Sequence, residues 1–188
     1  MNLVARVKSI LLQPTSEWSA IEREPGDAGS LFTNYVAIVA AIPPVCTFIG
    51  MSVIGYGPIR MGIVGGLVRA IITYVLTLVG VFLVAYVIDF LAGVFGGRKN
   101  LANAMRVSAY APTAAWVAGV FNLIPALSVL TILGLYSLYL LYTGLESLMK
   151  PPADKALIYT IAVIVCVIVV WIVIFTLPFA LFGMSAII

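Results

Sequence analysis

Four long stretches of the chain carry no charged residue, and their lengths constrain the fold more than any other feature. Residues 28–59, 70–88, 107–145 and 156–188 contain no Asp, Glu, Lys or Arg. A transmembrane helix needs about 20 predominantly apolar residues to cross a hydrocarbon core about 30 Å thick. Only 9% of the 188 residues are charged and 63% are hydrophobic, whereas a soluble domain has about 25% charged residues. We therefore predict an all-α integral membrane protein.

The stretch at residues 107–145 is too long for one crossing. Its 39 residues would extend about 59 Å as a single helix, which is about twice the thickness of the hydrocarbon core. Asn122 and Pro125 provide the best turn, so a helical hairpin is predicted here. Five transmembrane helices result within a membrane domain of residues 28–188. Their predicted positions are residues 31–53, 68–92, 104–121, 126–148 and 156–180.

Residues 1–27 are predicted to form an interfacial amphipathic segment. One helical face carries its apolar residues, which are Leu3, Val4, Val7, Ile10 and Leu11. Arg6 and Lys8 are expected to reach lipid headgroups, and Trp18 is expected to lie in the interfacial aromatic belt. Packing of this helix against the transmembrane bundle is the alternative.

The distribution of basic residues predicts the orientation. With the N-terminus in the cytoplasm, eight basic residues lie on the cytoplasmic side: Arg6, Lys8, Arg23, Arg98, Lys99, Arg106, Lys150 and Lys155. Arg60 and Arg69 then lie toward the outer side. Because cytoplasmic loops are enriched in Lys and Arg, we expect the N-terminus inside and the C-terminus outside, in a bacterial inner membrane.

Patterns typical of catalytic, metal and nucleic-acid sites are missing from the sequence. The chain has no His, and Cys46 and Cys166 lie in separate apolar stretches. Zinc sites and Ser-His-Asp triads therefore lack their ligands and bases. The net charge of +3 is too small to indicate nucleic acid. We expect no catalytic residues, no metal and no cofactor.

Several segments together resemble the Yip domain family in its short prokaryotic form. They are LLQPTSEW at residues 11–18, IDFLAGVFGGRKN at 88–100, AYAPT at 109–113 and LYSLYLLYTGL at 135–145. These segments occur in order along nearly the whole chain. The resemblance is carried by the ordered set, because each segment alone is weakly specific.

The resemblance implies a five-span fold with a cytoplasmic N-terminus. Eukaryotic members of the family associate with Rab GTPases in membrane traffic and usually carry a long cytosolic region before the first span. About thirty residues precede the first predicted span here. We therefore expect a bacterial inner-membrane protein rather than a Rab-binding one.

Three charged residues near the ends of predicted spans form a candidate polar cluster: Asp89, Arg106 and Glu146. Ionisable groups at membrane depth are costly and are often functional. A cytoplasm-facing pocket built from these three residues could hold an ion, a lipid headgroup or a partner's side chain. The alternative is an ion-pair cluster at the membrane boundary without a ligand.

Three further features of the spans are candidates for binding or packing. A groove is predicted on the fourth span, and its residues are Tyr136, Tyr139, Tyr142 and Thr143. A helix break is predicted at Pro43 and Pro44. Close helix packing is predicted for the small residues of the third span, which are Ser108, Ala111, Ala115 and Gly119. The alternative is that the tyrosines form a seam between helices.

These features favour a non-enzymatic membrane protein that organises or binds other membrane proteins, a second copy of itself, or membrane lipid. The alternative is a small transporter or channel subunit with a cytoplasm-facing polar pocket. A transporter needs polar groups or water near the middle of the membrane, whereas the charges of this chain lie near the ends of its predicted spans.

Overall fold

A computed structural model describes residues 2–24, 28–55 and 60–182 of the chain. All regular elements in these ranges are helical. In chain order they are α1 (Leu3–Leu12), α2 (Pro14–Arg23), α3 (Gly29–Ile54), α4 (Ile63–Val94), α5 (Leu101–Tyr110), α6 (Thr113–Ala118), α7 (Pro125–Met149) and α8 (Ala156–Phe182). The boundary predicted at residues 27 and 28 falls beside residues 25–27, which lie outside the described ranges.

Four helices of the described residues are long and apolar enough to cross a membrane, namely α3, α4, α7 and the portion Ala156–Val173 of α8. The third predicted span, residues 104–121, is not one continuous helix. It is divided into α5, α6 and a 3-10 turn at Gly119–Leu123. Pro112 lies at the junction of α5 and α6, where its ring clashes with the preceding turn and it has no N–H to donate. The expected set of five regular spans is thus seen only in part.

Hydrogen bonds between helix ends define two ends of the bundle. The Arg98 N–H donates to the carbonyl of Met149 at 2.7 Å, so the end of α4 meets the end of α7. Lys150 has a left-handed backbone with φ of 48°, which ends α7 there. We call this end, which also carries α1 and α2, the N-terminal end. At the opposite end, which we call the distal end, the Met61 N–H donates to the Met51 carbonyl at 3.0 Å.

A helix break occurs in α3 next to the two prolines. Regular helix stops at Val39 and resumes at Ile42, with a turn at residues 40–41. Pro43 and Pro44 then occupy the first turn of the resumed helix, where the missing N–H groups cost least. The regular helix is thus interrupted at residues 40–41, before the prolines, and not at Pro43 and Pro44 themselves.

The N-terminal helices pack into the bundle. Asn2 caps α1 by accepting a hydrogen bond from the Val4 N–H at 3.1 Å, and Pro14 occupies the first turn of α2. Ile10 and Trp18 are fully buried among residues of the other helices. Trp18 and Arg6 therefore face protein rather than headgroups, which differs from the expectation for Arg6, because Arg6 is only 4% exposed. Of the predicted apolar face, Ile10 is buried in the core of the bundle, and Leu3, Val7 and Leu11 pack partly against it, whereas Val4 is exposed.

Candidate functional site

A buried ion-pair network lies at the N-terminal end of the bundle. Arg6, on α1, pairs through its two terminal guanidinium nitrogens with the carboxylates of Glu17 and Glu24. Its guanidinium carbon also lies 5.5 Å from the ring centroid of Tyr110, a cation–π distance. Burial disfavours the charge of Arg6, but its pairing with Glu24 and Glu17 outweighs burial and raises its pKa above the ordinary value. The network thus fixes α1 to α2 and to α5.

A second set of contacts holds the end of α2 against the membrane helices. Arg106, on α5, donates to the main-chain carbonyls of Glu24 at 2.6 Å and Glu22 at 3.4 Å. Lys150, just after α7, pairs with the Glu22 carboxylate. The indole N–H of Trp18 donates to Thr143 Oγ1 at 3.1 Å. Two helices of the bundle, α5 and α7, together with Lys150 after α7, therefore hold the same short helix.

The three residues of the predicted polar cluster are not joined to one another. In the described parts of the chain, no ion pair or hydrogen bond links Asp89, Arg106 and Glu146. Arg106 instead donates to the main-chain carbonyls of Glu22, in the last turn of α2, and Glu24, just after it, and Glu146 is exposed on α7. Asp89 lies on α4 with one carboxylate oxygen buried and without a partner in the described ranges. A common pocket of these three side chains is therefore absent from the described structure.

The tyrosines of the predicted groove lie toward the outside of the bundle. Tyr136 is 37% exposed and Tyr139 is 47% exposed, and their ring centroids are 5.5 Å apart. Tyr142 is half-buried. Thr143 differs from them because it accepts the Trp18 indole bond. Of the predicted groove residues, Thr143 thus contacts the N-terminal helices, whereas the rings of Tyr136 and Tyr139 are exposed.

The small residues of the third predicted span lie against neighbouring helices. A Cβ atom on Gly119 would come within 2.7 Å of the Pro43 ring. A Cβ atom on Gly134 would come within 2.9 Å of Ala115 Cα. The Ala115 N–H also donates a hydrogen bond to Ser137 Oγ at 2.9 Å. Ser108 and Ala111 are buried. These contacts place the small residues between helices of one chain.

Two neighbouring cavities lie between the described helices of the bundle. The first, here called the lateral cavity, has a volume of about 340 Å³ and lies between α4, α5, α6, α7 and α8. Its rim includes Leu138 and Ile168, which are 43% and 51% exposed, so the cavity opens on the side of the bundle. Apolar residues dominate its wall, with the hydroxyl groups of Thr77, Ser108 and Ser137 among them.

The second, here called the distal cavity, has a volume of about 120 Å³ and lies beside the helix break of α3. Pro43 and Pro44 line it together with Arg69, Thr73 and Asn122 at its more polar side. Both cavities share three lining residues: Thr77, Trp116 and Trp171. The indole N–H of Trp116 is buried and has no hydrogen-bond partner among the described residues.

Metal-binding clusters are missing from the described residues, where no group of three or more Cys, Asp and Glu side chains converges. Cys46 and Cys166 are both half-buried and unpaired thiols. The sequence pattern did not reveal the Arg6 network or the cavities. One signal was available in the sequence. The predicted amphipathic segment carries two acidic residues, Glu17 and Glu24, together with the basic residue Arg6.

Comparison with known proteins supplies the family. The Yip1 domain matches residues 8–174 of the chain. The chain is also similar to the inner membrane protein YohC of Escherichia coli strain K12, with 29% identity over 127 residues, or 65% of each protein. The YohC of strain CFT073 gives the same values. The alignment thus spans a little under two thirds of these curated relatives, and no solved structure matches the chain. Because the Yip1 domain covers most of its length, the chain belongs to the Yip1 domain family.

Proposed function

We propose that this protein works without catalysis, as a multi-span membrane protein that binds another component of the membrane in its lateral cavity. The observation that carries this proposal is the cavity itself. Its volume of about 340 Å³ falls in the usual range of ligand pockets, and its rim lies on the exposed side of the bundle. An apolar wall at membrane depth fits lipid or a partner helix better than a water-soluble substrate.

The proposed topology has five crossings in the cytoplasmic membrane, with the N-terminus inside. Support comes from the two ends of the broken run α5–α6. Asn103, on α5, donates to the Leu148 carbonyl at 3.1 Å at the N-terminal end. At the other extreme of the run, Asn122 lies against Gly50 near the distal end. The run thus leads from one end of the bundle to the other, although it is not a regular helix.

Binding at the lateral cavity is tested by filling it. Leu138→Trp places a large ring at the rim, where Leu138 is 43% exposed. Leu133→Trp is the matched control, because Leu133 is 58% exposed on the same helix and does not line the cavity. Both variants are extracted with their surrounding membrane in polymer discs, and co-extracted lipids and proteins are quantified. We expect a specific component to be lost from Leu138→Trp alone, whereas equal recovery from both would contradict the proposal.

A small transporter or channel subunit is the second candidate. It is favoured by the distal cavity, where Arg69, Thr73 and Asn122 lie beside the break in α3, since broken helices often hold solutes. This polar group lies toward the distal end rather than in the predicted cytoplasm-facing pocket. Solute flux in proteoliposomes that disappears in Arg69→Gln but not in Leu138→Trp would favour transport over binding.

A further inference from the structure

We propose that the two cavities form one site for an anionic phospholipid, with the phosphate at Arg69 and an acyl chain in the lateral cavity. This inference rests on the proposed function, because it names the component that occupies the lateral cavity. It adds the class of ligand, the residue that binds the lipid headgroup and the direction in which the acyl chain runs.

The first support is the order of lining residues along α4. Arg69, Thr73 and Thr77 line the distal cavity, and Thr77, Gly80 and Val84 line the lateral cavity. Spacings of three and four residues place all of them on one helical face. The two cavities therefore follow each other along one side of α4, with Thr77 between them.

The second support is the match between length and membrane depth. From Arg69 to Gly80 the helix rises about 16 Å. One leaflet of the hydrocarbon core is about 15 Å deep, half of the full thickness. A phospholipid with its phosphate beside Arg69 would therefore have the end of its acyl chain in the lateral cavity. A free inorganic anion would use only the first of the two cavities.

The third support is chemical complementarity. Arg69 is a cation on a membrane-spanning helix, and guanidinium groups bind phosphate through paired hydrogen bonds. Farther along α4 the wall becomes apolar, which suits an acyl chain. Trp116, in the wall shared by both cavities, has a buried indole N–H without a partner among the described residues. A buried donor of this kind is expected where an acceptor comes from outside the chain.

The proposal is tested by lipid binding to the purified full chain in detergent, measured by native mass spectrometry. Phosphatidylglycerol is compared with diacylglycerol that carries the same acyl chains and lacks the phosphate. We expect wild type to bind phosphatidylglycerol about tenfold more tightly, as a charge-assisted phosphate contact predicts. Arg69→Gln should abolish this difference. Arg60→Gln is the control, because Arg60 carries the same charge near the distal end but does not line the cavity.

The outcomes separate this proposal from the proposed function. If Arg69→Gln keeps the tenfold preference, or if inorganic phosphate displaces phosphatidylglycerol, the lipid headgroup site is wrong. If Leu138→Trp binds both lipids as wild type does, the lateral cavity is not the binding site and the proposed function fails as well. Loss of both lipids from Leu138→Trp with an unchanged preference in Arg69→Gln would overturn only the headgroup assignment.

A measurement on wild type avoids any dependence on the folding of Arg69→Gln. Phosphatidylglycerol with a photoreactive group at the end of one acyl chain is crosslinked in membranes, and the labelled peptides are mapped. We expect labels around Val84 and Ile164, at the far part of the lateral cavity. Labels confined to Met51 and Met61, which line the distal cavity, would overturn the proposed direction of the chain.

Discussion

The N-terminal end of the bundle and its distal half differ in how their polar side chains are paired. At the N-terminal end, Arg6 and Lys150 each meet a carboxylate, and Arg106 meets two carbonyls. In the distal half, Ser52 Oγ and the Trp116 indole N–H are buried and without partners among the described residues, and cavities remain between the helices. Asp89, near the N-terminal end, is the exception there, because its Oδ1 is buried without a partner among the described residues. Paired charges fix a structure, whereas open space and unpaired groups leave room for a ligand. We infer that the first region is a clamp and the second a binding region.

The largest expected effect comes from removing the anchor of the clamp. Trp18 is fully buried, and a Cβ atom on Gly144 would lie 2.7 Å from its ring. Trp18→Ala should destabilise the docking of α1 and α2 by about 3–5 kcal/mol, the usual cost of truncating a buried Trp. Limited proteolysis in detergent should then release the N-terminal helices before the bundle unfolds.

Val4→Ala is the control for this prediction, because Val4 is 68% exposed on α1. It should be cleaved at the wild-type rate. Equal protection of Trp18→Ala and Val4→Ala from protease would contradict the assignment of the N-terminal end as a clamp, because the docking of α1 and α2 would then not depend on buried Trp18.

The next effect tests how closely the distal helices approach. A Cβ atom on Gly50 would overlap the backbone oxygen of Asn122, whereas nothing lies within 4 Å of one on Gly62. Gly50→Ala should cost about 1–3 kcal/mol through overpacking, and Gly62→Ala should be close to neutral. Thermal unfolding in detergent measures both. Similar melting temperatures for the two variants would contradict the close contact between α3 and the turn after α6.

The smallest expected effect tests whether burial increases the stability that an ion pair contributes to the clamp. Glu17 and Glu22 lie on the same helix, but their side chains are 14% and 34% exposed, and their partners Arg6 and Lys150 are 5% and 42% exposed. Glu17→Gln should cost about 1–2 kcal/mol by weakening a buried charged contact. Glu22→Gln should cost less than about 1 kcal/mol. Chemical unfolding that shows equal losses would mean that burial does not distinguish the two pairs.

Much of the helical architecture follows from where charge is absent. α3, α7 and α8 lie largely within charge-free stretches, and α4 contains the uncharged stretch between Arg69 and Asp89. Length alone shows that residues 107–145 cannot form one crossing. Length does not show that the first half of this stretch is broken, because Pro112 and Gly119 disrupt helix locally while the apolar composition continues.

The positions of the N-terminal helices and of the charged side chains could not be derived in this way. An apolar face fits a lipid surface and a protein core equally well, so the pattern of α1 left both alternatives open. The partners of Arg106 are main-chain carbonyls, which no side-chain pattern reveals. Cavities arise from how helices rotate and tilt against each other, and periodicity determines neither.

The most direct test of the account is the side of the membrane reached by four engineered cysteines. Cys46 and Cys166 are first replaced by Ala, and Arg60→Cys, Lys99→Cys, Ile124→Cys and Asp154→Cys are made singly. A membrane-impermeant thiol reagent is then added to intact cells and to inverted vesicles. We predict labelling at positions 60 and 124 from outside and at positions 99 and 154 from inside, because α5 and α6 carry the chain across in the proposed topology. Labelling of positions 99 and 124 from the same side would contradict the proposed crossing by α5 and α6.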